Sequence, residues 1–523
     1  MLPQRVARWP SHSVISQLRP LQRIPAPTSQ LQLQPQLRSC STCEATPASQ
    51  TTTPPPSNKP SKSTSKKTPP PPPPPETRLP PDHRTLGLHQ KLFTTSIYSP
   101  GSAFFLPAGT RIFNRLVSFL RNQYVRYGFE EVITPLIYKK DLWAKSGHLE
   151  NYAQDMYTVT GARHASSEAE TETEAEAEAD REYGLKPMNC PGHCLLFSSQ
   201  KRSYRDLPIR YADFSPLHRN ENTGSLTGLT RVRRFHQDDG HIFCRPVQIE
   251  DEIKKSLDFV KHTYATLGLG PYRLALSTRP DQYIGSLDDW EQAETSLQRA
   301  LDNSGTDWAV NPGDGAFYGP KIDIVLSDSH GKEHQTATIQ LDFQLPKRFE
   351  LEYIAPAPAL EQKGETTADP ELLAEYGPVR PVMIHRAVLG SVERLMALLI
   401  EHYDGKYPLW LNPNQIKIIT LNDTGPVVEW ANKVRERLLG IAEGDVTPTH
   451  LAVDLDTSAR PISVKKTDAV SAGASVVVTI GASEVEGKCV SVDMSAVTGS
   501  RKRVTMSPEE LRAWVGERVA AHE

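Results

Sequence analysis

Lys186-Pro-Met-Asn-Cys190-Pro-Gly-His-Cys opens, and Arg231-Val-Arg-Arg-Phe235-His-Gln-Asp-Asp239-Gly-His241-Ile-Phe closes, the stretch from Leu185 to Phe243 around which the chain is organised. It brings a thiol, imidazoles, carboxylates and a set of arginines together beside apolar, strand-like runs. Soft metal ligands and guanidinium groups are costly to bury alone. Cys190, Arg219, Glu221, Arg231, Asp239 and His241 therefore point to a site for a metal and a phosphate-bearing substrate. Taken singly, each has a plainer reading as a surface charge, a satisfied core histidine or a buried structural cysteine.

The ensemble decides between them. Met188-Asn-Cys-Pro-Gly-His, His218-Arg-Asn-Glu221, Gly224-Ser-Leu-Thr-Gly-Leu-Thr-Arg-Val-Arg, Phe235-His-Gln-Asp-Asp-Gly-His-Ile-Phe and Pro381-Val-Met-Ile-His385-Arg-Ala-Val-Leu-Gly390-Ser-Val-Glu-Arg394 closely resemble the catalytic core of threonyl-tRNA synthetases, a class II aminoacyl-tRNA synthetase family. The resemblance runs from His89 to Pro413 and continues less closely to the C-terminus. It implies an α+β catalytic domain over residues 85–412, with an antiparallel sheet flanked by helices, and an anticodon-binding domain over residues 413–523.

The resemblance also assigns roles. Cys190, His241 and His385 match the family's zinc ligands, and one thiolate with two imidazoles leaves a fourth position free on a tetrahedral ion. The amino group and hydroxyl of threonine would bind there together, which valine cannot do. Asp239 would accept a hydrogen bond from the same hydroxyl. Arg219 matches the motif 2 arginine between substrate carboxylate and α-phosphate, and Arg394 the motif 3 arginine on the γ-phosphate side. Arg231 is placed for the outer phosphates, Phe235 for stacking on adenine and Glu221 for the adenine amino group.

Met188 would lie beside the adenylate, with Gln237, Tyr318, Lys321, Gln335, Thr338, Gln340 and Ser391 around nucleotide and amino acid. His148 aligns with a histidine of the transfer step, and Lys321 joins it with Arg219 and Arg394 in the expected catalytic set. The implied chemistry is ATP-dependent activation of L-threonine to threonyl-adenylate, with Mg²⁺ on the phosphates, then acyl transfer to tRNA(Thr). Pro135, after an amphipathic helix and a strand, matches motif 1 of the dimer interface, so a homodimer is expected. The competing readings are a catalytically inactive, synthetase-like RNA-binding subunit, against which the intact Cys190, Arg219, His241, His385 and Arg394 argue, and a related synthetase for serine or proline, which the Cys/His/His set with Asp239 disfavours.

Composition bounds the rest. The formal net charge is −3, so RNA contact needs a local patch. The six cysteines lack framework spacing, Cys40-Ser-Thr-Cys43 included, which fits a reducing compartment. No run approaches the ~20 apolar residues of a membrane helix. Residues 1–43 hold Arg5, Arg8, Arg19, Arg23 and Arg38 with no acid before Glu44, the composition of a mitochondrial transit peptide bound for the matrix. Residues 44–84, with the proline run Pro69–Pro75, read as a disordered linker. An acidic insertion at 164–181 reads as a solvated loop. With no editing domain ahead of His89, the chain resembles the shortened fungal mitochondrial type.

Periodicity predicts a helix over Thr110–Tyr127, a strand over Glu130–Pro135 and a helix over Val247–Leu267. It also predicts alternating strands at Tyr272–Ser277, Lys321–Leu326 and Gln335–Asp342 without intervening helices, and a helix over Leu389–Tyr403. Past Pro413, strand and helix alternate, giving a small α/β domain. Its Lys465, Lys466, Arg501, Lys502 and Arg503 are candidates for RNA phosphates.

Overall fold

Along Lys321–Ser327 and Glu333–Asp342 polar and aliphatic residues alternate, so each strand has one face for a site and one for a core. The computed structural model describes residues 80–161 and 182–523. The transit-peptide, acidic-insertion and Cys40/Cys43 readings, and nearly all of the proline-rich spacer, lie outside the described residues.

In chain order the first part contains α1 (His83–His89), α2 (Pro107–Tyr127), β1 (Glu130–Glu131), β2 (Thr158–Thr160), β3 (Glu182–Leu185), α3 (Cys190–Ser198), β4 (Ile209–Asp213), β5 (Arg234–Cys244) and α4 (Ile249–Thr266). It continues with β6 (Arg273–Ser277), α5 (Leu287–Asp302), β7 (Trp308–Asn311), β8 (Lys321–Ser327), β9 (Glu333–Asp342), β10 (Val382–Ser391) and α6 (Val392–His402). The main sheet runs β7-β6-β8-β9-β10-β5-β4-β1, with Pro216–His218 paired to the start of β5.

Register follows from the two faces. Lys321 stands opposite Gln340, Gln340 opposite His385, and His385 opposite His241, so four strands contribute one row. Two residues along, Asp323, Thr338, Ala387, Asp239 and Asp213 form the next row. The other face carries Ile322, Ile324, Ile339, Leu341, Ile384 and Ile242, buried against Phe259 and Val260 of α4 and Leu395 and Leu399 of α6. Each such side chain is worth roughly 1.5–3 kcal/mol when buried. A slip of one residue would drive Lys321, Gln340 and both histidines into that core, which pins the register.

Several expectations shift. The sheet is antiparallel through its centre, but β6/β7 and β1/β4 are parallel. A helix does intervene between the alternating strands: α5 buries Trp290, Ala293, Leu297, Ala300 and Leu301, capped by Ser286, and carries the chain over to β7. The strand expected over Glu130–Pro135 pairs only at Glu130–Glu131. The helix expected from Leu389 starts at Val392, because β10 runs on to Ser391 and the Ser391 hydroxyl caps α6 by accepting from Arg394 N. Residues ahead of 85 already take part in the fold, since α1 is capped by Asp82 and its His83 is buried. β2 and β3 pair antiparallel.

Past residue 413 a second sheet has the order β12 (Val453–Asp456), β11 (Ile416–Thr420), β13 (Val476–Ile480), β14 (Val490–Asp493) and β15 (Val504–Met506). With α7 (Gly425–Leu439), α8 (Ile462–Ser471) and α9 (Pro508–Ala520) it encloses its own core of Ile416, Ile418, Val434, Val476, Val478 and Leu511. Helix α2 clasps this unit: Arg111 donates to Pro413 O (3.2 Å) and Arg115 to Gln415 Oε1 (2.7 Å). Lys465 is not available to RNA phosphates, being fully buried and donating to Thr420 O at 2.8 Å.

Candidate active site and metal centre

The polar face of the sheet floors a cavity of about 300 Å³. Met188, Cys190, Arg219, Glu221, Arg231, Phe235, Gln237, Asp239, His241, Tyr318, Lys321, Gln335, Thr338, Gln340, His385, Ser391 and Arg394 all line it. Of the sequence-predicted residues only His148 stands behind the wall. It is fully buried, its Nδ1 2.8 Å from Ser146 Oγ and its Nε2 3.2 Å from Met188 Sδ and 4.0 Å from Cys190 Sγ. Burial, helped by nearby cationic groups, pushes its pKa down to about 3, so it is a neutral imidazole at neutral pH.

Cys190 is the first residue of α3, and its Sγ lies with one ring nitrogen of His241 and one of His385 inside a group whose members are all within 4.8 Å. The histidines are cross-strand partners on β5 and β10, which places their rings side by side. His385 Nε2 is 2.9 Å from Asp342 Oδ2, so its proton goes to that carboxylate and Nδ1 keeps a lone pair. That Nδ1 faces His241 Nε2 at 3.0 Å.

Behind His241, its Nδ1 shares a hydrogen with His193 Nδ1 at 2.7 Å. His193 Nε2 is buried without a hydrogen-bond partner, 3.9 Å from the Asp213 carboxylate. A proton on that nitrogen points to Asp213 and lets His241 donate from Nδ1, leaving Nε2 aprotic. In that tautomer two lone pairs 3.0 Å apart beside a thiol suit a shared cation, and the donor set of one sulfur and two imidazoles suits zinc. Burial pushes the Cys190 thiol up and the His241 imidazolium down, so protein side chains alone would hold this centre neutral.

Around this centre the remaining groups are pre-set. Asp239 Oδ2 accepts from Asn189 N and Nδ2 (3.4 and 3.2 Å), leaving Oδ1 toward the cavity side, 3.7 Å from His241 Nε2. Gly240 between them is required because a Cβ there would stand 2.7 Å from Arg386 Nη2. The Arg219 guanidinium lies 5.0 Å over the Phe235 ring, Arg231 pairs with Glu221 at 2.7 Å, and Arg394 donates to Thr230 O (3.0 Å) and Gln335 O (2.8 Å).

Asp323 was missed from sequence, yet it organises one wall. It accepts from Gln335 Nε2, Thr338 Oγ1 and Ser277 Oγ, and Lys321 Nζ lies 3.0 Å away. Its position two residues after Lys321 on an alternating strand was the available signal. Asp342, in phase with Gln340, and His193, one turn after Cys190, carried the same kind of signal.

An antiparallel sheet that carries ligands and arginines on its open face, closed below by long helices, defines a class II aminoacyl-tRNA synthetase. The tRNA synthetase class II core domain family (G, H, P, S and T) matches residues 172–363. A probable mitochondrial threonine-tRNA ligase of Schizosaccharomyces pombe is 48% identical over 84% of this chain and 90% of its own length. A probable cytoplasmic threonine-tRNA ligase of Dictyostelium discoideum is 47% identical over 79% of this chain, which spans about half, 52%, of that longer relative. The crystal structure of the RNA binding domain of threonyl-tRNA synthetase from Cryptosporidium parvum superposes with a TM-score of 0.70 at 43% identity, covering 83% of this chain and 98% of that one. The chain belongs to the threonine-tRNA ligase family.

Proposed function

We propose that this chain is a catalytically active threonine-tRNA ligase of the mitochondrial matrix: it activates L-threonine with ATP, releases pyrophosphate and passes the threonyl group to the 3′ end of tRNA(Thr), as a homodimer. The observation that carries the reading is the single polar face on which Cys190, His241 and His385 converge within 4.8 Å beside Arg219, Arg231 and Arg394. The name of the fission-yeast relative and the arginine-rich, acid-free start of the chain support the compartment. Exposed Val125, Ile133 and Ile137 around motif 1 support the dimer.

Cys190, His241 and His385 would hold zinc, which when bound supplies an open coordination position for the amino and hydroxyl groups of threonine. Asp239 Oδ1 accepts from the hydroxyl. ATP enters with Mg²⁺ on its phosphates; Phe235 stacks on adenine, Glu221 takes its amino group, and Arg231 and Arg394 hold the outer phosphates. Arg219, fixed over Phe235, joins the threonine carboxylate to the α-phosphate, and Lys321 balances the charge that develops as the carboxylate attacks and pyrophosphate departs. Met188, Gln237, Tyr318, Gln335, Thr338, Gln340 and Ser391 shape the nucleotide and amino acid pockets.

For transfer, the tRNA ribose hydroxyl attacks the adenylate carbonyl and AMP leaves. His148, which the resemblance aligns with this step, stands behind Met188 with its Nε2 3.2 Å from Sδ, and is proposed to assist the hydroxyl by orienting that wall of the site. Purified protein should exchange pyrophosphate into ATP with threonine and not with valine; equal rates would reject the metal-centred selection of the hydroxyl. His148→Ala should leave that exchange within about twofold while slowing aminoacylation about 10²-fold or more.

A further inference from the structure

We infer that His83, at the start of α1, is a positioning residue for ATP, holding the turn that carries Arg231 onto α6; this rests on the nucleotide role proposed for Arg231. The turn is tight. Thr227 N donates to Arg231 O (3.1 Å), and Thr230 N and Arg231 N both donate to Thr227 O (2.9 and 3.2 Å). Gly228 within it has φ +47, and Leu229 is wholly buried in the main core.

Two tethers fix this turn, and both lead to α6. Arg394 Nε takes Thr230 O directly at 3.0 Å. On the other side Leu229 N donates to His83 Nε2 at 3.2 Å, and His83 Nδ1 lies 2.7 Å from Glu401 Oε1 near the end of α6. Because Nε2 accepts, the proton sits on Nδ1 and goes to Glu401, so the ring relays one helix to one backbone amide. Glu401 is met in turn by Ser329, whose N donates to Oε2 at 3.4 Å.

The contact between turn and ring is close. A Cβ on Gly228 would stand 2.2 Å from His83 Nε2, so the turn can lie against the imidazole only with glycine there. Arg231 is the second residue after Leu229, and its guanidinium already meets Glu221 at the cavity rim. A buried amide left without its acceptor pays for desolvation, and the turn escapes that cost by lifting off, which takes Arg231 from the phosphates. Helix α1 thereby becomes part of the nucleotide site while touching no substrate.

The test uses the full chain and three substitutions. Calorimetry with ATP alone should show His83→Ala weakening ATP binding about tenfold, with ATP KM rising by a similar factor in pyrophosphate exchange and threonine KM and zinc content unchanged. His83→Gln, whose amide oxygen reaches the place of Nε2, should recover ATP binding. His83→Asn, which replaces only Nδ1, should not. A purely structural role would move both KM values together or give equal recovery by Gln and Asn, and either result overturns the inference, as does an unchanged ATP dissociation constant in His83→Ala. Absence of threonine activation by the unmodified protein would sink the functional reading and leave the calorimetric comparison to decide this one.

Discussion

Among the described residues, two groups have three candidate metal ligands within 4.8 Å of one another: Cys190 with His241 and His385, and Asp82 with His83 and Glu401. By spacing and burial they are near equals. They differ in where their hydrogen bonds go. In the first, each histidine is held from behind, by His193 or Asp342, and the nitrogens that remain face each other and the sulfur. In the second, both nitrogens of His83 are spent, on Glu401 and Leu229 N, and Asp82 is taken by Arg84 and the end of α1. A metal site is thus marked by convergent unspent lone pairs, and proximity alone marks only a well-satisfied joint.

The comparison breaks most readily at Cys190. Cys190→Ala should lose stoichiometric zinc, with affinity falling by more than ~10²-fold, because a three-ligand centre has no spare donor. Retention of one zinc per chain in that variant would remove the ligand assignment and much of the proposed selectivity. The next effect in size comes from behind the ring. Asp342→Asn turns an acceptor into a donor opposite His385 Nε2, shifting the ring proton to Nδ1, the nitrogen meant for the ion. Zinc affinity should fall about 10-fold to 100-fold in a chelator competition, with the fold intact by circular dichroism. An unchanged affinity would mean that His385 faces the ion by packing alone.

The sequence made one half of this comparison legible and hid the other. Cys190, His241 and His385 stand in recognisable runs, and the alternation around Lys321, Gln340 and His241 was enough to put them on one sheet face. What no periodicity shows is pairing across the sheet: Asp342 serves His385 from the neighbouring strand, and Asp213 stands opposite Asp239 behind His193. His83 was read as linker because it follows a proline-rich run, and its partners Leu229 and Glu401 are 146 and 318 residues away. Helix α5 escaped because its aliphatic spacing is diluted by acids between Leu287 and Asp302. Lys465 looked like a surface base because a lysine usually is one; only the Thr420 carbonyl beneath it reverses that.

The smallest metal effect, and the one that sharpens the comparison, belongs to the second group. Glu401→Ala removes a carboxylate that accepts from the buried His83 N and Nδ1, leaving both donors unpaired. Such losses cost about 1–3 kcal/mol of stability, readable as a lowered denaturation midpoint. Zinc content should stay at the parent value, because neither His83 nor Asp82 has a lone pair free to lose. Were zinc to fall with Glu401→Ala while the Cys190 centre kept its affinity, the second group would have to be counted as a metal site, and hydrogen-bond direction would no longer separate the two.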